Sequence, residues 1–257
     1  MIKKLFTGLL LSLLSASLLS AQEKSEEDKT TKPGKKKALQ YQIDLDNLTA
    51  EQRQDYYTKL FKAQTLFNQK RIFETIAEIN EVHQIYSKAP SSLNIQGACY
   101  VEFRNFEKAK ASFKLALESH PDNLNVLFNL AEIDFVTQQW QKSHDILNRL
   151  ITEFPKQNES MIELIKFKIF LCKIKLDKQE EAREIAAATS FLDDSPMHYY
   201  SNAAVEYADD NPAKAEEWLA RASRVFSNNA TIAPWQDTLI EFGYIKSFYG
   251  GDLAVDE

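Results

Sequence analysis

Glycine and proline are both scarce in this sequence. The chain has 6 glycines and 7 prolines among 257 residues, where average usage would give roughly 18 and 13. Sandwiches, barrels and propellers need many turns that glycine serves, and phosphate-binding loops need clustered glycines. The sequence holds a single adjacent pair, Gly250 and Gly251. These absences argue against an all-β fold and against a nucleotide-binding loop, and they favour an all-α fold.

Residues with the spacing of a catalytic or metal site are also lacking. The sequence has no HExxH motif, no G-x-S-x-G elbow and no Cys and His pair at the spacing of zinc ligands. The four histidines are scattered over residues 83–198. Adjacent acids such as Asp193 and Asp194 stand at predicted helix ends, where capping explains them better than acid–base catalysis. The sequence therefore predicts a protein that is not an enzyme and that needs no cofactor or metal.

The beginning of the chain, residues 1–21, has the pattern of a secretory signal peptide. Lys3 and Lys4 precede an apolar stretch over residues 5–19, and the small residue Ala21 stands at the expected cleavage site. Thr, Gly and Ser interrupt the stretch, which is shorter than the ~20 residues that a membrane span needs. An uncleaved anchor is the alternative. We expect cleavage before Gln22, no integral membrane span in the mature chain, and a periplasmic or secreted bacterial protein.

The next segment, residues 22–38, carries six Lys and four acidic residues and few apolar side chains. Such a segment has too little to bury to fold on its own. We therefore expect residues 22–48 to form a disordered charged leader. The whole chain has a net charge of −6, and the negative charge is concentrated after this leader. An acidic body argues against nucleic acid and anionic membranes as partners.

One layout of small and large apolar residues occurs twice in unbroken register between Pro90 and Pro155. Each copy predicts two helices with these residues at fixed positions, and each is followed by a proline. The first copy carries Leu93, Gly97, Tyr100, Ala109, Phe113, Ala116 and Pro121. The second carries Leu127, Leu130, Ala131, Ser143, Leu147, Leu150 and Pro155. Less regular copies precede and follow, and a stripe of Trp235, Leu239, Phe242 and Ile245 marks a last helix over residues 232–248.

These residues resemble the tetratricopeptide repeat family, whose helix pairs recur with the same period as this layout. The resemblance implies an all-α, right-handed superhelical solenoid of about five helix pairs with a C-terminal capping helix, over residues 49–248. A flexible tail would occupy residues 249–257. Gly97 stands where paired helices touch most closely, so we expect it to accept Ala but not Leu. Cys99 and Cys172 fall two repeats apart on inner faces, too far for a disulfide, so we expect both to be reduced.

The resemblance also indicates where a partner would bind. In this family the first helix of each pair lines a concave groove, and matching those positions gives an apolar set with a single lysine. Two interpretations are open: an exposed wall that accepts an apolar helix or extended segment of a partner, or a set that is partly core. The matched partner-binding candidates are Asn94, Val101, Asn125, Phe128, Glu132, Phe135, Ile162, Lys166, Ile169, Tyr200 and Tyr207.

The sequence thus favours a non-enzymatic exported scaffold that binds a protein or peptide partner in an apolar groove, as in the assembly of an envelope complex. We expect the scaffold to be monomeric. The leader, through Tyr41, Ile43 and Leu45, or the tail could itself occupy the groove. The alternative function is a helical module for a small ligand or glycan, with Trp140, Trp218 or Trp235 as a stacking platform.

Overall fold

The computed structural model describes residues 38–155 and 158–245, and all regular structure in these ranges is α-helical. This confirms the predicted all-α fold class. The expected signal peptide, most of the leader and the tail at 249–257 lie outside the described residues. The described helices are α1 (Gln40–Asp46), α2 (Ala50–Asn68), α3 (Ile72–Ile85), α4 (Pro90–Glu102), α5 (Phe106–Ser119), α6 (Leu124–Val136), α7 (Trp140–Glu153), α8 (Glu159–Lys175), α9 (Gln179–Ala187), α10 (Met197–Ala208), α11 (Pro212–Val225) and α12 (Asn229–Phe242).

Helices α2 to α11 form five consecutive pairs, and every pair has the same turn between its first and second helix. The second residue after each first helix has a φ of 55–60°, the left-handed geometry that ends many helices and that glycine usually takes. The first three turns are evenly spaced along the chain, and the fourth follows at a longer interval. The extra length precedes that fourth turn, where α8 has 17 residues. The five left-handed residues are Lys70, Arg104, Gln138, Asp177 and Asp210.

The described chain divides into two compact units, residues 38–133 and 134–245, with the division inside α6. In the first unit, Phe113 of α5 is fully buried and packs in one cluster with Leu93 of α4 and Val126 of α6. Three successive helices therefore share a core. This is expected of helical repeats, in which each unit covers its apolar face with the next one.

Gly97 of α4 lies against the ring of Phe113. A Cβ atom built on Gly97 would lie 2.6 Å from Cδ1 and 2.8 Å from Cζ of that ring, and closer still to Cε1. Real Cβ atoms do not approach other heavy atoms so closely. The expectation that Ala fits at this position is therefore wrong, because the fully buried ring already occupies the space that the methyl group needs.

The core of the second unit is rich in aromatic residues. Phe167 and Phe170 of α8, Tyr200 of α10 and Trp235 of α12 are buried in one cluster. The middle and the C-terminal half of helix α8 are buried on most sides. Its buried residues include Ile165, Phe167, Lys168, Ile169, Phe170, Leu171, Cys172 and Ile174.

Both ends of the described chain differ from expectation. Part of the predicted leader is folded: α1 spans Gln40–Asp46, Leu45 is buried, and the Tyr86 hydroxyl donates a hydrogen bond of 2.9 Å to Asp44 Oδ2. The last helix was predicted over residues 232–248, but α12 ends at Phe242, because Gly243 adopts a left-handed φ of 88° that terminates the helix. A capping box starts α2, with Thr49 and Gln52 hydrogen-bonded to each other's backbone N–H groups.

Candidate functional site

The candidate site is the first-helix face of the second unit, which we define as the surface formed by α8, α10 and the end of α6. Helix α12 lies on this face. The ring of Trp235 is 5.0 Å from that of Phe167 and 5.8 Å from that of Tyr200, centroid to centroid. Trp235 therefore rests on α8 and α10 together, and only 4% of it is exposed.

The end of α12 lies on the same face. Phe242 stacks on Phe135 of α6 at 5.9 Å, and Trp140 meets Phe242 edge-on at 5.3 Å. Just beyond the helix, Tyr244 stacks on Tyr207 of α10 at 5.2 Å. The residues of α12 that face the unit are Ile232, Trp235, Thr238, Leu239 and Phe242, which recur at the spacing of one helix face.

A buried ion pair joins α8 to α12. Lys168 Nζ lies 3.4 Å from Glu241 Oε2, and the side chains are 2% and 6% exposed. The Lys168 ammonium also lies 4.6 Å from the centre of the Phe135 ring, a cation–π distance. Lys175, two turns further along α8, lies 4.8 Å from the Phe242 ring. The first-helix face thus combines aromatic surface with positive charge.

Asp237 stands one turn before Glu241 on α12 and is half-buried. Burial raises the pKa of the Asp237 carboxyl above its usual range, and the positive charge of Lys168 offsets part of that rise. Burial also raises the pKa of Tyr244, to about 12. The face therefore disfavours unpaired negative charge, and it accommodates a carboxylate where Lys168 meets it.

The corresponding surface of the first unit is more polar. Asn129 Nδ2 donates a hydrogen bond of 2.8 Å to Asn94 Oδ1, which joins α6 to α4. Lys70 pairs with Glu102 at 2.9 Å, across the ends of α2 and α4. Val101 is half-buried and packs against the neighbouring apolar clusters. These contacts tie successive first helices to one another.

The predicted partner-binding residues do not form an exposed aromatic wall. Phe128 is 5% and Phe135 0% exposed, and Phe135 is covered by Phe242 and Trp140. The other candidates differ in burial. Glu132, Ile169 and Tyr200 are buried, whereas Asn94, Val101, Asn125, Ile162 and Tyr207 are half-buried and Lys166 is exposed.

The sequence pattern indicated some of the residues that hold α12, namely Phe135, Tyr200 and Tyr207, but not Phe167 and Lys168. Phe167 and Lys168 follow Lys166 directly in α8. Glu241 and Tyr244 lie close to Phe242 in the segment that predicts the C-terminal capping helix. Lys166 was matched to the groove as a partner-binding candidate, whereas nothing in the pattern distinguishes Lys168, which also alternates with apolar residues. The signal that was available is the length of α8, since a longer helix shifts which of its residues face inwards.

The structure gives the three tryptophans packing roles. Trp235 is buried, and Trp140 packs edge-on to Phe135 at 5.3 Å. Trp218 of α11 packs against His198 at 5.5 Å and carries the Arg221 guanidinium at 4.7 Å from its ring. Within residues 38–155 and 158–245, no group of three or more His, Cys, Asp or Glu side chains is arranged to hold a metal ion.

Comparisons with known proteins agree with the fold. Residues 100–162 match the family model described as tetratricopeptide repeat. A structure reported in a functional characterisation of pilF from Pseudomonas aeruginosa is similar over 79% of this chain and 96% of its own, with a TM-score of 0.53 at 13% identity. The protein YrrB, described as a TPR protein with an unusual peptide-binding site, is similar over 68% of this chain and 88% of its own, at 18% identity and a TM-score of 0.49.

One curated relative also matches in sequence. The CTR9 homologue of Arabidopsis thaliana is 24% identical over 131 residues, which are 50% of this chain and 12% of that protein. This chain therefore spans only a small part of that relative's length. None of the helices in the described ranges combines the length and the apolar character needed to cross a membrane.

Proposed function

We propose that this protein is a non-enzymatic exported scaffold that holds an apolar, helical segment of a protein partner during assembly of an envelope complex. One observation carries the proposal: the first-helix face of the second unit buries a helix, α12, through Trp235 and Phe242. A surface that packs one amphipathic helix has the shape and the aromatic anchors to pack another.

The tetratricopeptide match supports the same class of function, because proteins of that family bind protein partners. Rigid helices position the anchors in advance, so little conformational entropy is lost when the partner docks. Aromatic residues buried at the centre of such an interface carry most of its binding free energy.

Site-specific photo-crosslinking tests the proposal. A benzoylphenylalanine is placed at Lys166 or Tyr207 on the first-helix face, or at the exposed control positions Lys214 or Glu217 on α11, in the exported protein within its own cells. We expect one product of defined mass from the two face positions and none from the controls. Equal products from all four positions, or no product, would contradict the proposal.

Export rests on the segment at 1–21 and needs a separate test. Mass spectrometry of the protein recovered outside the cytoplasm should find Gln22 at its N-terminus, with the charged leader retained. A mature protein that still carries the segment at 1–21 would instead be anchored to the membrane.

A further inference from the structure

Helix α12 covers more of the second unit than an end cap would. A helix that only closed the end of the array would rest on its last pair, α10 and α11. Instead the rings of α12 and of Tyr244 contact α6 through Phe135, α8 through Phe167 and α10 through Tyr200 and Tyr207. The same face that a partner would use is therefore already occupied by a segment of the chain.

The ion pair within this contact selects for a particular occupant. Removing two charges from water is costly, and a pair of apolar side chains in their place is often equally stable or more stable. In some proteins a buried polar or charged group fixes register or partner choice, as polar residues do in coiled coils. Lys168, with 2% of its side chain exposed, therefore favours a helix that brings a carboxylate to this position.

The connection to α12 makes it a strong competitor. Only residues 226–228 separate α11 from α12. A short linker gives the attached segment an effective concentration on the order of millimolar. Any external helix must displace it, so its apparent affinity is reduced by the small fraction of molecules in which the face is open.

We propose that α12 is a displaceable intramolecular occupant of the first-helix face, and that the partner replaces it with an amphipathic helix of the same chemistry. That helix carries two large aromatic residues seven positions apart, as Trp235 and Phe242 are, and a carboxylate beside the second, as Glu241 is. This inference rests on the proposed function, because it defines the segment that the scaffold holds.

The test uses the full chain and, as the probe, a fluorescein-labelled peptide of residues 228–245. Fluorescence anisotropy measures peptide binding to the unmodified chain and to the Glu241→Gln chain. Glu241→Gln changes no shape but weakens the attached helix and leaves Lys168 without that carboxylate. We expect the peptide to bind the Glu241→Gln chain at least 10-fold more tightly than it binds the unmodified chain. A Trp235→Ala chain that keeps its helical content should show the same increase in peptide affinity.

The contribution of the ion pair is tested by changing Glu241 in the peptide and Lys168 in the chain. With the Glu241→Gln chain, a peptide that itself carries Glu241→Gln should bind at least 10-fold more weakly than the unmodified peptide. Adding Lys168→Met to the chain should abolish that difference, whereas adding Lys214→Met, at the exposed control position on α11, should preserve it. A difference that survives Lys168→Met would overturn the role of this lysine.

A second measurement needs no variant. In the full chain, the amide hydrogens of α12 should exchange with solvent at least 10-fold faster than those of α8. This is expected because α12 detaches from the first-helix face while the rest of the unit stays folded. Equal protection of the two helices, or no saturable peptide binding to any of the chains, would make α12 a fixed part of the core. Dimers that exchange α12 would make a second copy the occupant and would likewise overturn the inference.

The two proposals fail separately. If photo-crosslinks form at Lys166 and Tyr207 but the peptide never binds, the scaffold function stands and α12 is permanent. If the peptide exchanges but no crosslinked partner appears, the face opens without serving the proposed function.

Discussion

The ring of Phe113 fills the space beside Gly97 in which any other residue would place its Cβ atom. Alanine normally stabilises a helix relative to glycine by roughly 1 kcal/mol. Here the methyl group would overlap a ring with no exposed surface, and overpacking costs about 1–3 kcal/mol. We expect Gly97→Ala to lower the free energy of unfolding and Gly97→Leu to lower it further, as measured by far-UV circular dichroism in urea.

The Gly97 prediction has an internal control. Replacing Phe113 with Leu frees space at the same contact, so the Gly97→Ala cost should shrink in the Phe113→Leu background. Purely additive effects of the two substitutions would show that the ring is not what excludes the methyl group.

The buried pair of Lys168 and Glu241 should behave unlike an exposed pair on the same helix. Lys168→Met leaves Glu241 buried without this cation, which costs about 3–5 kcal/mol, and adding Glu241→Gln should restore most of the loss. Lys166→Met breaks an exposed pair with Glu163 and should cost less than about 1 kcal/mol. All three tryptophans lie in the second unit, so their fluorescence monitors its unfolding. A double variant as unstable as Lys168→Met would mean that lost packing, not the loss of the cation beside Glu241, is the cause.

Asp237 should make the second unit less stable at neutral pH. Burial raises its pKa in the folded state, so the folded chain holds the proton more tightly than the unfolded chain does. The contribution of Asp237 to stability is therefore most favourable below the unfolded pKa of ~3.9, and it is lost as the pH rises through the raised folded pKa. Lys168 and Tyr200 face this carboxyl from α8 and α10, and Glu241 follows it on α12.

Asp237→Asn should therefore raise the thermal midpoint at pH 7. The corresponding gain in the free energy of unfolding should be less than about 1 kcal/mol, because solvent screens a half-buried charge. The gain should shrink as the pH approaches 4. Asp194→Asn, at an exposed position, is the control and should leave the midpoint unchanged. An Asp237→Asn gain that stays constant from pH 4 to 7 would exclude the titration of this carboxyl as its origin.

Both cysteines should be unreactive until the protein unfolds. Cys99 and Cys172 are buried and reduced in the structure, and burial raises the pKa of the Cys99 thiol to about 12, which removes the reactive thiolate at neutral pH. Thiol counting should find no rapid reaction in the folded monomer and two thiols in denaturant without reductant. No thiols under denaturing conditions would show a disulfide and refute the repeat register.

The periodic part of the fold could be predicted from the sequence because it depends on local spacing. The repeated layout between Pro90 and Pro155 locates the paired helices, and the stripe of Trp235, Leu239 and Phe242 locates the apolar face of the last helix. The left-handed turns could not be located, since Lys, Arg, Gln and Asp occupy positions that usually take glycine. Their geometry is imposed by the packing of the two helices on either side.

The candidate site was less predictable for a different reason. Matching the groove positions of the tetratricopeptide repeat family to this sequence indicated Phe135, Tyr200 and Tyr207, and all three lie on the first-helix face. Whether that face is open depends on where α12 turns after residues 226–228, and no local pattern encodes that direction. Burial of Lys168 follows from the same contact, since the sequence alone gives a lysine no reason to be less solvated than Lys166.

The order in which the chain is synthesised gives α12 a further role. A ribosome completes α6, α8 and α10 before it reaches Asn229, so the nascent second unit first exists with its aromatic face uncovered. At ~5–20 residues per second, the segment from Ala208 to Ile245 takes about 2–8 s to make. During that interval Phe135, Tyr200 and Lys168 are not yet covered by α12, so another helix nearby can compete with α12 for the same face.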